Sequence, residues 1–200
     1  MARGTFVAFE GIDACGKSTQ ARRVAAARGA LFVFEPGDTP LGAELRRWLL
    51  DAQTQMSPVT EALMMLADRS DHVATVIGPA LRSGTHVAAD RFYASTLAYQ
   101  GFGRGVDLAD LEAATELAIG ECLPDLTILI DIDVDTANER RARNAEDRFE
   151  SADARFHDRV REGYLEMARR DTEHWYVVDG RGSPDDVAAL IDSRLDRLHW

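Results

Sequence analysis

Eight consecutive residues near the amino terminus have the types and spacing that a polyphosphate site needs. Gly11-Ile-Asp-Ala-Cys-Gly16-Lys17-Ser18 fits the pattern GxxxxGK followed by S or T. Glycines at these positions let backbone N–H groups turn inward around phosphate oxygens, and a helix that starts near Lys17 adds the positive end of its dipole. Lys17 would reach the β- and γ-phosphates, and Ser18 would bind Mg²⁺. The pattern predicts a site for a nucleoside triphosphate, formed by Gly11, Ile12, Asp13, Ala14, Cys15, Gly16, Lys17, Ser18 and Thr19.

A triphosphate site alone does not show whether the phosphoryl group is transferred to water or to another molecule. The sequence has no NKxD pattern for reading guanine and no LSGGQ pattern of the transporter type, and 200 residues leave no room for large motor elements. These features favour a small-molecule kinase. The alternative from another class is a P-loop switch whose ATP hydrolysis controls a partner.

The sequence offers two positions for an acid that supports the magnesium ion. Asp90, followed by Arg91, ends one apolar run, and Asp131 and Asp133 end another. Ligands of open α/β sheets bind at the carboxyl ends of strands, so both positions are suitable. The spacing alone does not choose between them.

Binding a second anion would require further cations near the P-loop. Arg46, Arg69 and Arg91 lie in three separate segments that could converge above it. Their guanidinium groups would then hold the anion by fork-like hydrogen bonds.

The candidate site residues have to be positioned by strands and helices. Along the chain, short apolar runs alternate with longer helical patterns. This alternation is typical of βαβ units, and most of the runs are continuously apolar, as expected when helices cover both faces of a sheet. The sequence therefore predicts an α/β, three-layer P-loop NTPase fold with a five-stranded parallel sheet flanked by helices. The predicted strands are Thr5–Phe9, Ala30–Phe34, His86–Ala89, Leu126–Ile132 and Trp175–Val178.

Two helix starts carry clear capping signals. Ser57-Pro58 supplies an N-cap and a proline at the first helical position, and this helix is expected to end by Gly78-Pro79. Ser183-Pro184 opens the last helix in the same way, with two acids in its first turn.

Composition indicates one globular domain over residues 1–200, with 46% hydrophobic and 28% charged side chains. A net charge of −11 disfavours general nucleic-acid binding. No apolar run suits a signal peptide or a bilayer-spanning helix, which predicts no membrane partner. Cys15 and Cys122 form no metal or disulfide pattern, so a cytoplasmic location is expected.

The segment Glu139–Arg159 is polar almost throughout and rich in both arginine and acidic residues. One interpretation is a solvated helix face with i,i+4 ion pairs. The other is a mobile lid over the site, at about residues 139–155.

Four segments in order resemble the thymidylate kinase family: Phe-Glu-Gly-Ile-Asp-Ala-Cys-Gly-Lys-Ser-Thr, Glu35-Pro-Gly, Asp90-Arg-Phe and Ser95-Thr-Leu-Ala-Tyr-Gln-Gly101. The resemblance covers about Thr5 to Asp179. It implies transfer of the γ-phosphoryl of ATP to dTMP, with Mg²⁺ as cofactor, in a homodimer. A kinase of another nucleoside monophosphate or of a deoxynucleoside is the alternative within this build.

The resemblance also implies residue roles. Arg46 and Arg91 would hold the dTMP phosphate, Asp90 would act through the metal with Ser18, and Asp13 would bind the sugar 3′-hydroxyl. Arg69, Thr96 and Gln100 would read the thymine edge, while Tyr99 would crowd the 2′ position. The residues expected to bind substrate are Asp13, Glu35, Arg46, Met65, Arg69, Arg91, Thr96, Tyr99 and Gln100.

Family members place a catalytic arginine either in the P-loop or in the lid. The P-loop here has only Ala14 and Cys15 at the relevant positions, so the chain resembles the lid type. Arg143 is the first candidate to contact the transferring phosphoryl group and Arg148 the second, beside Lys17, Asp90 and Arg91 as catalytic residues.

Three positions depart from the family pattern. Phe34 stands where an arginine usually precedes Glu-Pro-Gly, and Met65 replaces the aromatic side chain that stacks on thymine. The first change removes a phosphate contact, and the second exchanges ring stacking for flexible packing. Third, Asp38 replaces a second glycine and adds negative charge near the acceptor site, where capping a turn is its expected role.

Overall fold

The computed structural model describes residues 2–141, 154–198 and 200. Five parallel strands form one sheet in the order β2-β3-β1-β4-β5. All five predicted strands are confirmed, and each boundary differs by one residue at most. The strands are β1 (Phe6–Glu10), β2 (Leu31–Phe34), β3 (Val87–Asp90), β4 (Leu126–Asp131) and β5 (Trp175–Asp179).

Helices cover both faces of the sheet, which confirms the α/β prediction. Two π-helical segments, Val73–Ile77 and Leu97–Gly103, interrupt otherwise α-helical stretches. The α-helices are α1 (Lys17–Arg28), α2 (Pro40–Leu50), α3 (Pro58–His72), α4 (Gly78–Arg82), α5 (Tyr93–Thr96), α6 (Leu108–Ile119), α7 (Val134–Arg141), α8 (Ala154–Arg170) and α9 (Pro184–Asp196).

Both predicted helix starts are confirmed by their caps. The Ser57 hydroxyl accepts a hydrogen bond from the Thr60 N–H at the start of α3. At α9, the side chains of Ser183 and Asp186 cap each other's backbone N–H groups reciprocally.

The predicted end of the helix at Gly78-Pro79 is wrong, because the helical path continues as α4. The π-helical turn lets the Gly78 N–H reach the carbonyl of Val73, five residues back. Pro79 then lies in the first turn of α4, where its missing N–H costs no hydrogen bond.

The core lies on both faces of the central strand β1, whose five residues are all buried. Val7 and Phe9 pack on one face and Phe6 and Ala8 on the other. A parallel strand buried on both faces reads as a continuous apolar run, as this one does up to Glu10.

The carboxyl ends of β1 and β3 lie side by side, since Phe9 is in register with Asp90. The P-loop follows β1 directly, and Arg91 follows β3. The sheet therefore brings the predicted triphosphate site and the Asp90-Arg91 pair to one edge. Within the described part of the chain, we find no helix that is both long and apolar enough to cross a bilayer.

Candidate active site

A cavity of about 760 Å³ opens at this edge of the sheet. It brings together side chains from β2, α2, α3, the β3–α5 turn and the π-helical segment that follows α5. All nine residues predicted to bind substrate line it, together with Lys17, Ser18 and Asp90. The substrate set is Asp13, Glu35, Arg46, Met65, Arg69, Arg91, Thr96, Tyr99 and Gln100.

The P-loop backbone requires its glycines. Gly11 has a φ of +141°, and a Cβ there would lie 2.5 Å from the Ile130 carbonyl oxygen. Gly16 has a φ of +99° and caps α1, whose first residue is Lys17. Cys15 fills space beside Gly11, and burial raises the pKa of its thiol. Cys15 is therefore an inert packing residue.

Asp13 is held as a carboxylate at the floor of the cavity. Its oxygens lie 2.5 Å from Arg91 Nη2, 2.9 Å from the Tyr99 hydroxyl and 3.5 Å from Lys17 Nζ. Burial alone would raise the pKa of Asp13, but the charges of Arg91 and Lys17 hold it well below its usual range. Because burial keeps Tyr99 protonated by raising its pKa, the phenol donates to this carboxylate.

Arg91 is fixed by a dense set of contacts. Its Nη1 donates to the Gly11 carbonyl, to Ser95 Oγ and to Tyr164 Oη at 3.1–3.2 Å. Its backbone adopts a φ of 72°, which is rare for a residue with a side chain. The guanidinium lines the cavity, so it is pre-positioned to bind an anion there.

Glu10 stabilises the turn that contains Arg91, a role that the sequence analysis did not predict. It is fully buried and accepts hydrogen bonds from Phe92 N at 2.9 Å, Ser95 Oγ at 2.7 Å and Tyr164 Oη at 2.9 Å. Burial raises the pKa of Glu10, and the charge of Arg91 opposes that shift. Glu10 could have been predicted from its position at the end of β1, which matches that of Asp90 at the end of β3.

Arg69 forms a buried wall of the cavity and is only 2% exposed. Its Nε donates to Glu35 at 2.8 Å, its Nη1 to Thr96 Oγ1 at 2.7 Å and its Nη2 to the Phe92 carbonyl at 3.0 Å. Within the described part of the chain, three of its five N–H groups are thereby used, and the other two lie on the terminal nitrogens.

His72 stands behind Glu35 and was not predicted to contribute. Its Nδ1 lies 3.0 Å from Glu35 Oε1, and its Nε2 lies 3.4 Å from Asp38 Oδ2. Burial would lower the pKa of His72, but the two carboxylates raise it above its usual value. The imidazole therefore anchors the carboxylate that orients Arg69.

Two of the three departures from the family pattern, Phe34 and Met65, line the cavity, whereas Asp38 lies beside His72. The guanidinium of Arg46 lies 5.8 Å from the centre of the Phe34 ring, and its Nη1 donates to the Pro36 carbonyl at 2.5 Å. Met65 lies on α3, one turn before Arg69. Phe34 thus supports a cation at the site without supplying one.

The acids considered for the metal role differ in their surroundings. Asp131 makes a two-pronged ion pair with Arg161 at 2.7 and 2.8 Å. Asp133 accepts from Thr136 N at the start of α7. Asp90 lines the cavity, and its buried Oδ1 has no hydrogen-bond partner among the described residues.

The lid arginines Arg143 and Arg148 lie outside the described residues. Arg140, at the end of α7, donates to the Gly180 carbonyl at 2.9 Å and to the Ala14 carbonyl at 3.4 Å. This contact joins α7 to the P-loop and to the loop after β5.

Comparison with known proteins gives a consistent result. The family model described as thymidylate kinase matches residues 9–191. A thymidylate kinase of Geobacter sulfurreducens is 42% identical over 98% of each chain, and one of Thermomicrobium roseum is 44% identical over 93% of this chain and 91% of the relative.

A crystal structure of thymidylate kinase from Ehrlichia chaffeensis superposes with a TM-score of 0.79 at 30% identity. It covers 96% of this chain and 99% of the solved one. With the sheet order, the P-loop and the family match in agreement, this chain belongs to the thymidylate kinase family.

Proposed function

We propose that this protein transfers the γ-phosphoryl group of ATP to the 5′-phosphate of dTMP, giving dTDP and ADP. The observation that carries the proposal is one cavity in which Lys17 and Ser18 of the P-loop face the same space as Arg91 and the buried wall of Arg69 and Gln100. Phosphate chemistry and base recognition thus share a single site. The family of the relatives agrees with this assignment.

The reaction needs positioning rather than a general base. The acceptor phosphate oxygen is ionised at neutral pH; it attacks the γ-phosphorus as the bond to the β,γ-bridging oxygen breaks, and ADP leaves. The obstacle is the approach of two polyanions, which Arg46, Arg91 and Lys17 offset. Arg46 and Arg91 hold the acceptor, and Lys17 holds the β- and γ-phosphates.

Ser18 and Asp90, which both line the cavity, are the residues that would hold a magnesium ion. The unpartnered Oδ1 of Asp90 is a hard oxygen acceptor, the ligand type that Mg²⁺ and its waters prefer. When bound, the ion neutralises charge between the phosphates. Asp90 would act through the metal and its waters, and Ser18 would supply its hydroxyl.

The sugar is recognised by Asp13 and Tyr99. The Asp13 carboxylate accepts from the 3′-hydroxyl, and Tyr99, fixed 2.9 Å from Asp13, occupies the space that a 2′-hydroxyl needs. This arrangement favours deoxyribose over ribose. Met65 packs on the base, while Arg69, Thr96 and Gln100 contact its polar edge.

Arg143, with Arg148 as second candidate, contacts the transferring phosphoryl group from the lid. An arginine there stabilises charge that develops in the transition state and helps to exclude water.

The protein acts as a homodimer in the cytoplasm. Exposed apolar side chains on the adjacent helices α3 and α6, Val59, Leu63 and Leu117, form an apolar face, and Leu117 is 88% exposed. Burying such a face against a second copy removes apolar surface from water.

Transfer and hydrolysis are separated by measuring ADP release from Mg·ATP with and without dTMP. The kinase proposal predicts rapid ADP release only when dTMP is present, in equal amount to dTDP. Equal ADP release without an acceptor would overturn it in favour of a P-loop switch.

A further inference from the structure

Gln100 carries an amide whose orientation decides what it offers a ligand. Its oxygen accepts hydrogen bonds and its nitrogen donates them, and the two ends are nearly equal in shape. Gln100 lines the cavity and is only 1% exposed, so the rotation of its amide is set by buried neighbours.

Glu61, in the first turn of α3, is the neighbour that sets it. This carboxylate is also 1% exposed, and its Oε1 accepts from Gln100 Nε2 at 2.7 Å. Arg104 Nε lies 3.5 Å from the same oxygen and balances its charge. The nitrogen end of the amide therefore faces this oxygen, since the amide oxygen has no hydrogen to donate to it.

The amide oxygen is therefore the end that Gln100 can offer within the cavity. Thymine presents an N3–H donor between two carbonyl oxygens, whereas cytosine has an unprotonated N3 acceptor and an amino group. The free N–H groups of Arg69 suit a carbonyl oxygen of the base, and an acceptor beside them suits N3–H.

We infer that Glu61 is a positioning residue for base specificity: it locks the Gln100 amide with its oxygen toward the base, so that the site accepts thymine and rejects cytosine. This inference rests on the proposed function, and it adds a residue that does not line the cavity. Reversing the amide would put its oxygen against the Glu61 carboxylate oxygen, two acceptors with no hydrogen between them, and its N–H groups against the thymine N3–H. Both contacts are costly when buried.

The test uses Glu61→Gln, which keeps the shape of the side chain but can donate as well as accept. Either orientation of Gln100 is then satisfied. We expect kcat/KM for dTMP to fall roughly tenfold while that for dCMP stays the same or rises, so the dTMP/dCMP ratio falls by about tenfold or more. Glu116→Gln, an exposed substitution on α6, should leave the ratio unchanged.

The same substitution made in a Gln100→Ala protein shows whether Glu61 acts through Gln100. In Gln100→Ala protein the amide is gone, so adding Glu61→Gln should leave the dTMP/dCMP ratio unchanged. Isothermal titration of dTMP and dCMP gives the same ratio from dissociation constants, which a change in folding stability alone would not move.

Two results would overturn the inference. One is an equal fall of kcat/KM for both nucleotides in Glu61→Gln, which would indicate a purely structural role. The other is the same loss of ratio in the Gln100→Ala background. Turnover of dTMP by the unchanged protein tests the proposed function separately, so failure of one is distinguished from failure of the other.

Discussion

Arg91 combines a rare backbone conformation with a cationic side chain aimed into the cavity. A φ of 72° costs energy for a residue with a Cβ, and the turn persists because Glu10 accepts from the next backbone N–H. Contacts with Asp13, Ser95 and Tyr164 then fix the guanidinium. The chain thus holds an anion-binding group in place before any substrate arrives.

Replacing Arg91 by lysine tests this role. Lys keeps the charge but cannot reproduce the planar fork, so kcat/KM for dTMP should fall roughly 100-fold or more in steady-state assays. Arg23→Lys is the matched control, because Arg23 pairs with exposed Asp185 away from the cavity. An Arg91→Lys enzyme within about threefold of the unchanged protein would contradict the account.

Asp68 makes stability depend on pH. It accepts from Gly37 N at 3.0 Å, and burial together with the charge of Glu35 raises its pKa from 3.8 to about 6. Between these values the native state keeps a proton that the unfolded chain has lost. Stability from this group is therefore present below pH 3.8 and decreases as the pH rises through about 6.

Asp68→Asn removes this titration and keeps an oxygen that can accept from Gly37. The variant should gain free energy of unfolding relative to the unchanged protein as the pH rises from 4 to 7, as measured by urea denaturation. A difference that does not change with pH, or one that changes in the opposite direction, would refute the assignment.

Residues with a local signal were predictable, and those defined by distant partners were not. Asp90 and Arg91 follow an apolar strand, and Lys17 belongs to a fixed motif. His72 and Glu61 look like ordinary helix positions, because their roles depend on Glu35 and Gln100, 37 and 39 residues away in the chain. Periodicity reports which face is buried, not which polar group meets it.

Helix α3 is the element that supports base recognition. Its inner face presents Glu61, Met65, Arg69 and His72, spaced by three or four residues. The Ser57 cap and Pro58 were readable in the sequence, and so was the helical period. The continuation of the helix through Gly78-Pro79 was not predictable from the sequence. It depends on a π-helical turn, for which no sequence pattern was available.

Removing the Ser57 cap should weaken this element. Ser57→Ala leaves Thr60 N without its partner and should lower the free energy of unfolding by about 1 kcal/mol. Ser70→Ala, exposed on the same helix, is the control and should stay within about 0.5 kcal/mol. Equal effects of the two substitutions in urea denaturation would argue against a stabilising cap.

The exposed apolar side chains on α3 and α6 lead us to expect a dimer in solution. Sedimentation should give twice the chain mass of 22.1 kDa, and Leu117→Glu should shift the protein toward the monomer by placing a charge in the apolar contact. Leu190→Glu, on exposed α9, should leave the dimer intact. A monomeric unchanged protein would remove the homodimer from the account.

In the whole molecule, the sheet brings the P-loop and the buried residues Arg69 and Gln100 to one cavity. The most direct measurement is turnover of Mg·ATP with dTMP, dUMP, dCMP, dGMP, AMP and thymidine, each product identified by chromatography. We expect dTMP to be turned over fastest and dTDP to be formed. Faster turnover of another acceptor would contradict the roles given to Met65, Arg69, Thr96 and Gln100.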